Sequence, residues 1–312
     1  MINKIIFFGT SEFGIPILDE LRCAKYNIVD IVTAPDTPAG RGYEIQKSAI
    51  KKWAEQANIK TLQPEDLKDK KFVEELSAFG ADMFIMAAYG KIIPKNILDI
   101  PSHGTINVHP SLLPKYRGAS PIQTAILNGE QETGVTLILA DEQMDHGPII
   151  AQEKTYIEAT DTNKSLHWRL ASVASEMIIK TLPKWVENRI KPIEQIHAEA
   201  TYTKIILRQD GKIDWTKPAQ ELERAIRAYY PWPGTFTFLP NGKRLKILES
   251  ELLKENFDYA PGTIFETADG QAAVTCGKEA IILKKIQKEG AEVTDGKSFT
   301  NGHRNLTGIA LK

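Results

Sequence analysis

The chain has 312 residues, a formal net charge of −1, 42% hydrophobic residues, 25% charged residues and two cysteines. This length predicts two domains with enough apolar material to fold without a disulfide or a metal ion. The near-neutral charge argues against a nonspecific grip on nucleic acid or anionic membranes, and the two distant cysteines fit a reducing compartment.

Strand-like and helix-like segments alternate through the first two-thirds of the chain. Residues 5–8 (IIFF) form a continuous apolar run that stops at Gly9, which is typical of a strand buried on both faces of a parallel sheet. A helix is predicted from about residue 11. Further strands are predicted at residues 28–32, 81–87, 105–109 and 134–140, and a long helix at 164–189. The alternation predicts an open, mostly parallel, Rossmann-like α/β domain over residues 1–190.

The pattern changes after residue 190. Residues 191–207 have weak periodicity and are predicted to be a linker. A short helix is expected at 216–230. Short strands are expected at 235–239, 245–248, 272–275 and 280–283, around the turn sequences Asn241-Gly242 and Asp269-Gly270. Residues 208–312 are therefore predicted to form a small β-barrel, OB-like in type.

The loop at residues 9–14 (GTSEFG) lies where dinucleotide-binding folds carry a glycine-rich turn. Ser11 replaces the middle glycine of the G-x-G-x-x-G pattern, and no Gly-Lys-Ser/Thr follows. A tight strand-to-helix turn is therefore favoured over a phosphate site, and a nicotinamide-dependent dehydrogenase is disfavoured.

Asn107 and His109 lie two residues apart in a predicted strand, so they face the same side. Polar side chains at the end of a buried strand are costly unless they are used or well paired, and open α/β sheets bind ligands at the carboxyl ends of their strands. The alternative is a paired core histidine beside a turn-forming asparagine.

Two prolines, Pro110 and Pro114, bracket the next three residues and make the loop stiff. Leu112 and Leu113 are expected to be exposed there and to hold an apolar ligand. The alternative is a rigid surface turn.

Asp145 follows the predicted strand 134–140, and in a parallel sheet it would reach the same edge as Asn107 and His109. An amide can stabilise an oxyanion, an imidazole can carry a proton or a positive charge, and a carboxylate can accept a proton. Since no serine or cysteine nucleophile has a fitting motif, direct acyl transfer to an amine is predicted. A metal site through His109, Asp145 and His146 is disfavoured, because the usual ligand spacings are missing.

Several of these segments together resemble the 10-formyltetrahydrofolate-dependent formyltransferases. Residues 107–114 (NVHPSLLP), Arg117-Gly118 and residues 144–147 (MDHG) carry the resemblance. Other matching segments follow in the family's order: 9–13, 35–42, 88–90, 213–215 and 231–233. The resemblance covers nearly the whole chain, and the combination of motifs is specific.

The resemblance implies transfer of a formyl group from 10-formyltetrahydrofolate, as co-substrate, to the α-amino group of methionyl initiator tRNA. It implies a catalytic domain at 1–190 and a tRNA-binding domain at 208–312, with no metal. Asn107 and His109 would stabilise the oxygen of the tetrahedral intermediate, and Asp145 would hold His109 and help take the amine proton.

The resemblance also implies which residues contact the substrates. Arg41 would contact the tRNA. The folate contacts would come from Ser111, Leu112, Leu113, Pro114, Tyr89 and Gly90. Residues 208–312 carry 16 Lys and Arg against 14 Asp and Glu, so local clusters at 243–246 and 284–288 would have to hold the tRNA.

Two alternatives remain open from the residues. The acceptor could be glycinamide ribonucleotide, a sugar-nucleotide amine or water, although small acceptors require neither the β-rich region nor the loop at 35–42. A non-catalytic RNA-binding protein would need no folate. A cytoplasmic location without membrane contact is expected, because the N-terminal apolar run is too short for a signal peptide and no stretch reaches the roughly 18 apolar residues of a membrane span. A monomer is also expected.

Overall fold

The computed structural model describes residues 4–39, 44–302 and 307–312, and the chain divides into two compact units. The first unit contains residues 1–121, 132–156 and 167–204, and the second contains residues 122–131, 157–166 and 205–312. Most of the predicted linker, 191–207, thus groups with the first unit. The functional domain borders at 190 and 208 stay predictions, because compactness alone does not assign function to either unit.

The first unit alternates strands and helices as predicted. Its strands are β1 (Ile5–Gly9), β2 (Ile28–Val32), β3 (Thr37–Ala39), β4 (Glu44–Gln46), β5 (Thr61–Leu62), β6 (Met83–Ala87), β7 (Thr105–His109), β8 (Arg117–Gly118), β9 (Glu132–Leu139), β10 (Ile149–Tyr156) and β11 (Tyr202–Thr203). Its helices are α1 (Ile15–Cys23), α2 (Ala49–Ala57), α3 (Lys70–Ala78) and α4 (Lys95–Leu98), while α5 (Pro121–Asn128) and α6 (Asn163–Val186) contain residues of both units. Within the described ranges, no helix has the length and hydropathy needed to cross a bilayer.

Seven strands form the main sheet, in the order β10-β9-β7-β6-β1-β2-β5. The five strands from β7 to β5 run parallel, whereas β9 is antiparallel to both β7 and β10. The prediction of an open, mostly parallel sheet is confirmed. The connections change direction between β1 and β6, which is where such sheets form a ligand crevice at their carboxyl ends.

The loop at residues 9–14 packs closely against the ring of Phe7 in β1. A Cβ atom at Gly9 would lie 2.6 Å from Cε1 of Phe7, and one at Gly14 would lie 2.8 Å from Cζ of the same ring. The Ser11 hydroxyl accepts a hydrogen bond from the Phe13 amide at 3.2 Å and caps a short 3-10 helix. These contacts support the interpretation as a tight strand-to-helix turn.

Asp30 lies in β2 with its side chain completely buried, and neither carboxylate oxygen makes a hydrogen bond of normal geometry. Burial raises the pKa of Asp30 to about 7, although the nearby Ile31 amide and the Lys60 ammonium act to lower it. Because this pKa lies above the unfolded value of 3.8, the native state keeps a proton that the unfolded state releases. Stability should therefore fall as the pH rises from about 4 to about 7.

Replacing Asp30 by asparagine should remove this part of the pH dependence. Between pH 4.5 and pH 8, the free energy of unfolding of the wild type should fall by about 2–4 kcal/mol more than that of Asp30→Asn. Urea denaturation at several pH values measures the difference. Equal pH slopes for the two proteins would contradict the burial of an ionisable, unpaired carboxyl group.

The second unit is built on an antiparallel sheet. Its strands are β12 (Thr235–Phe238), β13 (Arg244–Leu253), β14 (Ile264–Glu266), β15 (Ala272–Thr275), β16 (Ala280–Lys288) and β17 (Val293–Thr294), and its helices include α7 (Ala219–Ala228) and α8 (Gly296–Gly302). The strand order is β12-β13-β16-β15-β14, and β17 pairs with β16. The predicted small β-barrel is confirmed in the form of a curled antiparallel half-barrel.

The last residues of the chain bond to both outer strands of this sheet. The Ile264 amide of β14 donates to the Ile309 carbonyl at 3.0 Å. Phe238 of β12 and Lys312 exchange two backbone hydrogen bonds, each of 3.0 Å. Residues 308–312 therefore bridge the edges that the half-barrel would otherwise leave open.

Candidate active site

Asn107 lies at the centre of β7 and His109 at its carboxyl end, and their side chains face the same side because they are two residues apart. They are 8% and 5% exposed. Two polar groups this deeply buried require hydrogen-bond partners.

Asp145 supplies one of these partners, so the three predicted residues converge. Its Oδ1 accepts a hydrogen bond from Asn107 Nδ2 at 3.0 Å and lies 3.4 Å from His109 Nδ1. Its Oδ2 accepts a hydrogen bond from the Gly118 amide at 2.8 Å.

The imidazole of His109 lies between two hydrogen-bond acceptors. Its Nε2 is 2.9 Å from the Tyr116 carbonyl oxygen, and its Nδ1 faces the Asp145 carboxylate. Only the doubly protonated ring has an N–H on both nitrogens. A ring that donates from both nitrogens would therefore carry a positive charge.

Asp145 reaches the cluster by a different route from the one predicted. Strand β9 runs antiparallel to β7, with Leu139 opposite Ile106 and Thr136 opposite His109, so β9 ends at the edge where β7 begins. The connection 140–148 must return along the sheet to bring Asp145 to Asn107. The predicted proximity is confirmed, but its explanation through a parallel strand is wrong.

The 140–148 connection has two conformational requirements. Asp145 adopts a left-handed conformation with φ 53°, which costs a non-glycine residue roughly 1 kcal/mol. A Cβ atom on Gly147 would lie 1.8 Å from the Leu139 carbonyl oxygen, so only glycine fits there. The carboxylate thus depends on a tightly specified loop.

His146, a candidate in the disfavoured metal interpretation, has other partners. Its Nδ1 is 2.6 Å from Asp141 Oδ2, and its ring stacks on His197 with centroids 4.0 Å apart. No group of three or more His, Cys, Asp or Glu is arranged to hold a metal ion within residues 4–39, 44–302 and 307–312.

The loop proposed to contact folate is less exposed than expected. Ser111 is fully buried and donates its hydroxyl hydrogen to the Lys115 carbonyl at 2.7 Å. Leu112 is half-buried, whereas Leu113 is 3% exposed and is followed by a cis peptide bond to Pro114. The expectation of two exposed leucines is therefore wrong for Leu113.

The residues after β6 also divide into buried and exposed groups. The Tyr89 ring packs edge-on against Phe8, with centroids 5.5 Å apart, and burial raises the pKa of its hydroxyl to about 12. Gly90 is exposed with φ 83°. The Tyr89 ring is thus part of the core, and the exposed residues here are Ala88 and Gly90. Arg41 lies outside the described residues.

Sequence reasoning missed the groups that hold the cluster in place. Tyr116 and Gly118 act through their backbone, so their side chains gave no signal beyond the Arg117-Gly118 motif. Gln195 donates to the backbone carbonyls of Asp145 and Gly147, yet it lies in the weakly periodic segment predicted as a linker. Its role depends on contacts about 50 residues apart in sequence, which no local pattern reveals.

Comparison with known proteins gives matches over both parts of the chain. Residues 3–182 match the family model "Formyl transferase", and residues 205–304 match "Formyl transferase, C-terminal domain". A methionyl-tRNA formyltransferase of Caldanaerobacter subterraneus subsp. tengcongensis is 40% identical over 99% of this chain and 100% of its own length. One of Thermodesulfovibrio yellowstonii is 41% identical over 99% of both chains.

Solved structures share the fold at lower identity. WlaRD, described as a sugar 3N-formyl transferase, has a TM-score of 0.65 and 24% identity over 94% of this chain and 100% of its own. HypX from Aquifex aeolicus, solved with tetrahydrofolic acid, has a TM-score of 0.65 and 16% identity, and this chain spans about half of its length (47%). The resemblance carried by the sequence motifs is confirmed, and the chain belongs to the formyl transferase family.

Proposed function

We propose that Asn107, His109 and Asp145 carry out the transfer of a formyl group from 10-formyltetrahydrofolate to the α-amino group of methionyl initiator tRNA. The reaction is that of the relatives matched over their whole length, which are methionyl-tRNA formyltransferases. The observation that carries the assignment of residues is the Asp145 carboxylate, 3.0 Å from the Asn107 amide nitrogen and 3.4 Å from the His109 ring.

The chemistry begins with attack of the uncharged amine on the formyl carbon. A new C–N bond forms, and the carbonyl electron pair moves onto the formyl oxygen. The attacking nitrogen becomes acidic, and the Asp145 carboxylate takes its proton. The electron pair on the oxygen then re-forms the carbonyl bond, the bond between the formyl carbon and the folate nitrogen breaks, and the proton held by Asp145 passes to the leaving nitrogen. No acyl-enzyme is needed, because the formyl donor is already activated.

Asn107 and His109 stabilise the negative charge on the formyl oxygen. The Asn107 amide carries two N–H groups; one donates to Asp145, and we assign the other to the oxygen. The His109 Nδ1 to Asp145 contact of 3.4 Å is longer than a normal hydrogen bond, so the protonated ring can share its Nδ1 hydrogen with the formyl oxygen while Nε2 stays bonded to the Tyr116 carbonyl. Such contacts often tighten only when the substrate is bound.

The folate donor would lie against the exposed parts of the predicted loops. Ser111 and Leu113 are buried, so their side chains position the loop, while Leu112 and Pro114 are half-buried and remain available for contact. Gly90 leaves its backbone accessible to a flat ring, because no heavy atom beyond its two chain neighbours lies within 4 Å of the position that a Cβ atom would take. Tyr89 supports the site from the core.

The acceptor end of the tRNA is proposed to contact Arg41, and the second unit is proposed to hold the remainder. Within the 284–288 cluster, Lys284 and Lys285 pair with Glu251 and Glu249, so these two lysines already have acidic partners. Strand β13 carries the exposed Lys246, and Arg244 stacks over Phe236 at 4.6 Å. Phe236 is buried, so its ring holds the Arg244 guanidinium in place and is not itself offered to a ligand. A basic surface is suited to the phosphates of nucleic acid, so Arg244 and Lys246 are the favoured contacts.

The choice of acceptor is tested by supplying different amines with 10-formyltetrahydrofolate. Methionyl initiator tRNA is expected to be formylated at least about 10²-fold faster, at equal concentration, than glycinamide ribonucleotide or a sugar-nucleotide amine, because only tRNA reaches the second unit. Release of tetrahydrofolate and acid-stable formyl-methionine measure the two products. Equal rates with a small amine would contradict the assignment.

The same assay tests the surface on β13. Lys246→Glu should raise the KM for tRNA about five- to tenfold and leave kcat within about twofold, because the change removes binding remote from the reacting carbon. Lys285→Glu is the matched control, since this lysine already faces Glu249 at 2.5 Å. An equal effect of both changes would remove the case for a contact at Lys246.

A cytoplasmic location and a monomeric state stay predictions. The first is motivated by the substrate, an aminoacylated tRNA used in translation initiation. Size-exclusion chromatography with light scattering measures the second, and a stable dimer would contradict it.

A further inference from the structure

Both the nitrogen and the oxygen of the Gln195 side-chain amide form hydrogen bonds inside the first unit. It is 5% exposed, and its Nε2 donates hydrogen bonds to the Asp145 carbonyl at 2.9 Å and the Gly147 carbonyl at 2.7 Å. Its Oε1 accepts hydrogen bonds from Arg117 Nη2 at 2.6 Å and Nε at 3.2 Å. One side chain thus joins the loop that carries Asp145 to strand β8.

Arg117 is unusual among the buried residues. It is 1% exposed and is among the largest completely buried side chains of the described chain. Besides Gln195, its guanidinium donates to His197 Nδ1 at 2.9 Å and lies 3.4 Å from the Tyr202 hydroxyl. None of these acceptors is a carboxylate, so the desolvation of the charge is only partly offset. Because burying this cation costs free energy, we infer that the positions of the groups bonded to Arg117 matter for function.

The backbone on either side of Arg117 also holds the catalytic groups. The Gly118 amide donates to Asp145 Oδ2, and the Tyr116 carbonyl receives the His109 Nε2 hydrogen. The residues on either side of Arg117 therefore touch the carboxylate and the imidazole. An anchor at Arg117 would fix both of these backbone contacts in position.

The loop that Gln195 holds has few apolar anchors at Asp145. Met144, its neighbour, is 46% exposed, and Asp145 itself has a left-handed backbone conformation. The two carbonyls that Gln195 binds lie on either side of His146, so together they fix the backbone on both sides of that residue. Misplacement of a reacting group by about 1 Å can slow catalysis by about 10²-fold.

We propose that Gln195, anchored by Arg117, is a positioning residue that aligns the Asp145 carboxylate with Asn107 and His109. It acts on the backbone of the 140–148 connection and does not contact substrate. The inference rests on the catalytic role proposed for Asp145. It adds Gln195, which lies outside the catalytic motifs in the segment 191–207, to the residues required for a full rate.

The variant Gln195→Glu separates the two halves of this contact. A glutamate keeps an acceptor for Arg117, so the buried cation remains paired and the protein stays folded. It carries no N–H for the Asp145 and Gly147 carbonyls and repels them. We expect kcat to fall about 10- to 100-fold, with the KM values for folate and tRNA within about twofold, and the melting temperature to stay close to that of the wild type.

Hydrogen exchange gives a readout that does not depend on activity. In Gln195→Glu, amides of peptides covering 141–147 should exchange at least about tenfold faster, and those of 105–109 should be unchanged. Gln152→Glu is the matched control, because Gln152 Nε2 also donates two hydrogen bonds, to the Leu113 carbonyl and the Thr136 hydroxyl, away from this loop. It should leave the exchange of 141–147 unchanged.

A double-mutant cycle then tests the route of action. In an Asp145→Asn background, Gln195→Glu should lower the remaining rate by less than about twofold, because the group it positions is already gone. The inference would be overturned if Gln195→Glu kept the wild-type kcat or left the exchange of 141–147 unaltered. It would also be overturned if Gln195→Glu lowered the rate of Asp145→Asn by the same factor as it lowers the wild-type rate. Full turnover by Asp145→Asn alone would instead refute the catalytic role of Asp145, and the exchange data would still report whether Gln195 holds the loop.

Discussion

Replacing Asp145 by asparagine is expected to lower kcat by about 10³–10⁴-fold, comparable with the loss of a buried carboxylate beside a catalytic histidine in other enzymes. Asparagine has nearly the same size, but its amide cannot accept the amine proton. Its NH₂ group would also oppose either the Gly118 amide or the Asn107 and His109 donors, all of which now face carboxylate oxygens. Single-turnover formylation of methionyl initiator tRNA measures the effect.

Asp141→Asn is the matched control for this change. Asp141 lies in the same connection and accepts a hydrogen bond from the Gln143 amide at 2.9 Å, but it is not part of the cluster. Its replacement should lower kcat by less than about tenfold, through the loop alone. Equal losses for the two variants would mean that Asp145 acts only by holding the loop together.

Replacing Asn107 by alanine is expected to lower kcat by about 10²–10³-fold, the usual effect of removing one oxyanion donor. The KM for folate should change little, because the lost interaction forms mainly in the transition state. Asp145 Oδ1 would lose one donor but keep the His109 contact, so the protein should remain folded. Turnover at the wild-type rate would refute the assigned role.

A double variant with Asn107→Ala and Asp145→Asn tests whether the two residues act at the same site. Asn107 and Asp145 share a hydrogen bond and act on the same reacting carbon, so their effects should not multiply. The double variant is expected to be no more than about tenfold slower than Asp145→Asn. Fully multiplicative losses would indicate two independent sites of action.

The sequence predicted the parts of the site that have a short-range pattern. Asn107 and His109 follow from the two-residue period of a strand and from polar groups at a buried strand end. The position of Asp145 was also predicted, but the loop that brings it there depends on an antiparallel pairing that a single apolar run at 134–140 does not reveal. Strand direction is set by partners elsewhere in the chain.

Element boundaries in the second unit were harder to predict. Residues 245–248 were expected to be a strand, whereas β13 runs from Arg244 to Leu253. Its pairing with β16 shifts register at residue 249, which interrupts the alternation of apolar and polar side chains. The continuation past residue 248 therefore lacked the pattern from which a strand is predicted.

The closing of the half-barrel by residues 308–312 also affects how the protein behaves towards its own copies. Open strand edges present rows of free N–H and C=O groups that can pair with other chains and start aggregation. Here one short segment covers part of β12 and part of β14 at once, through the Lys312 and Ile309 bonds. Shortening the chain before Gly308 would uncover part of both edges together and should promote aggregation.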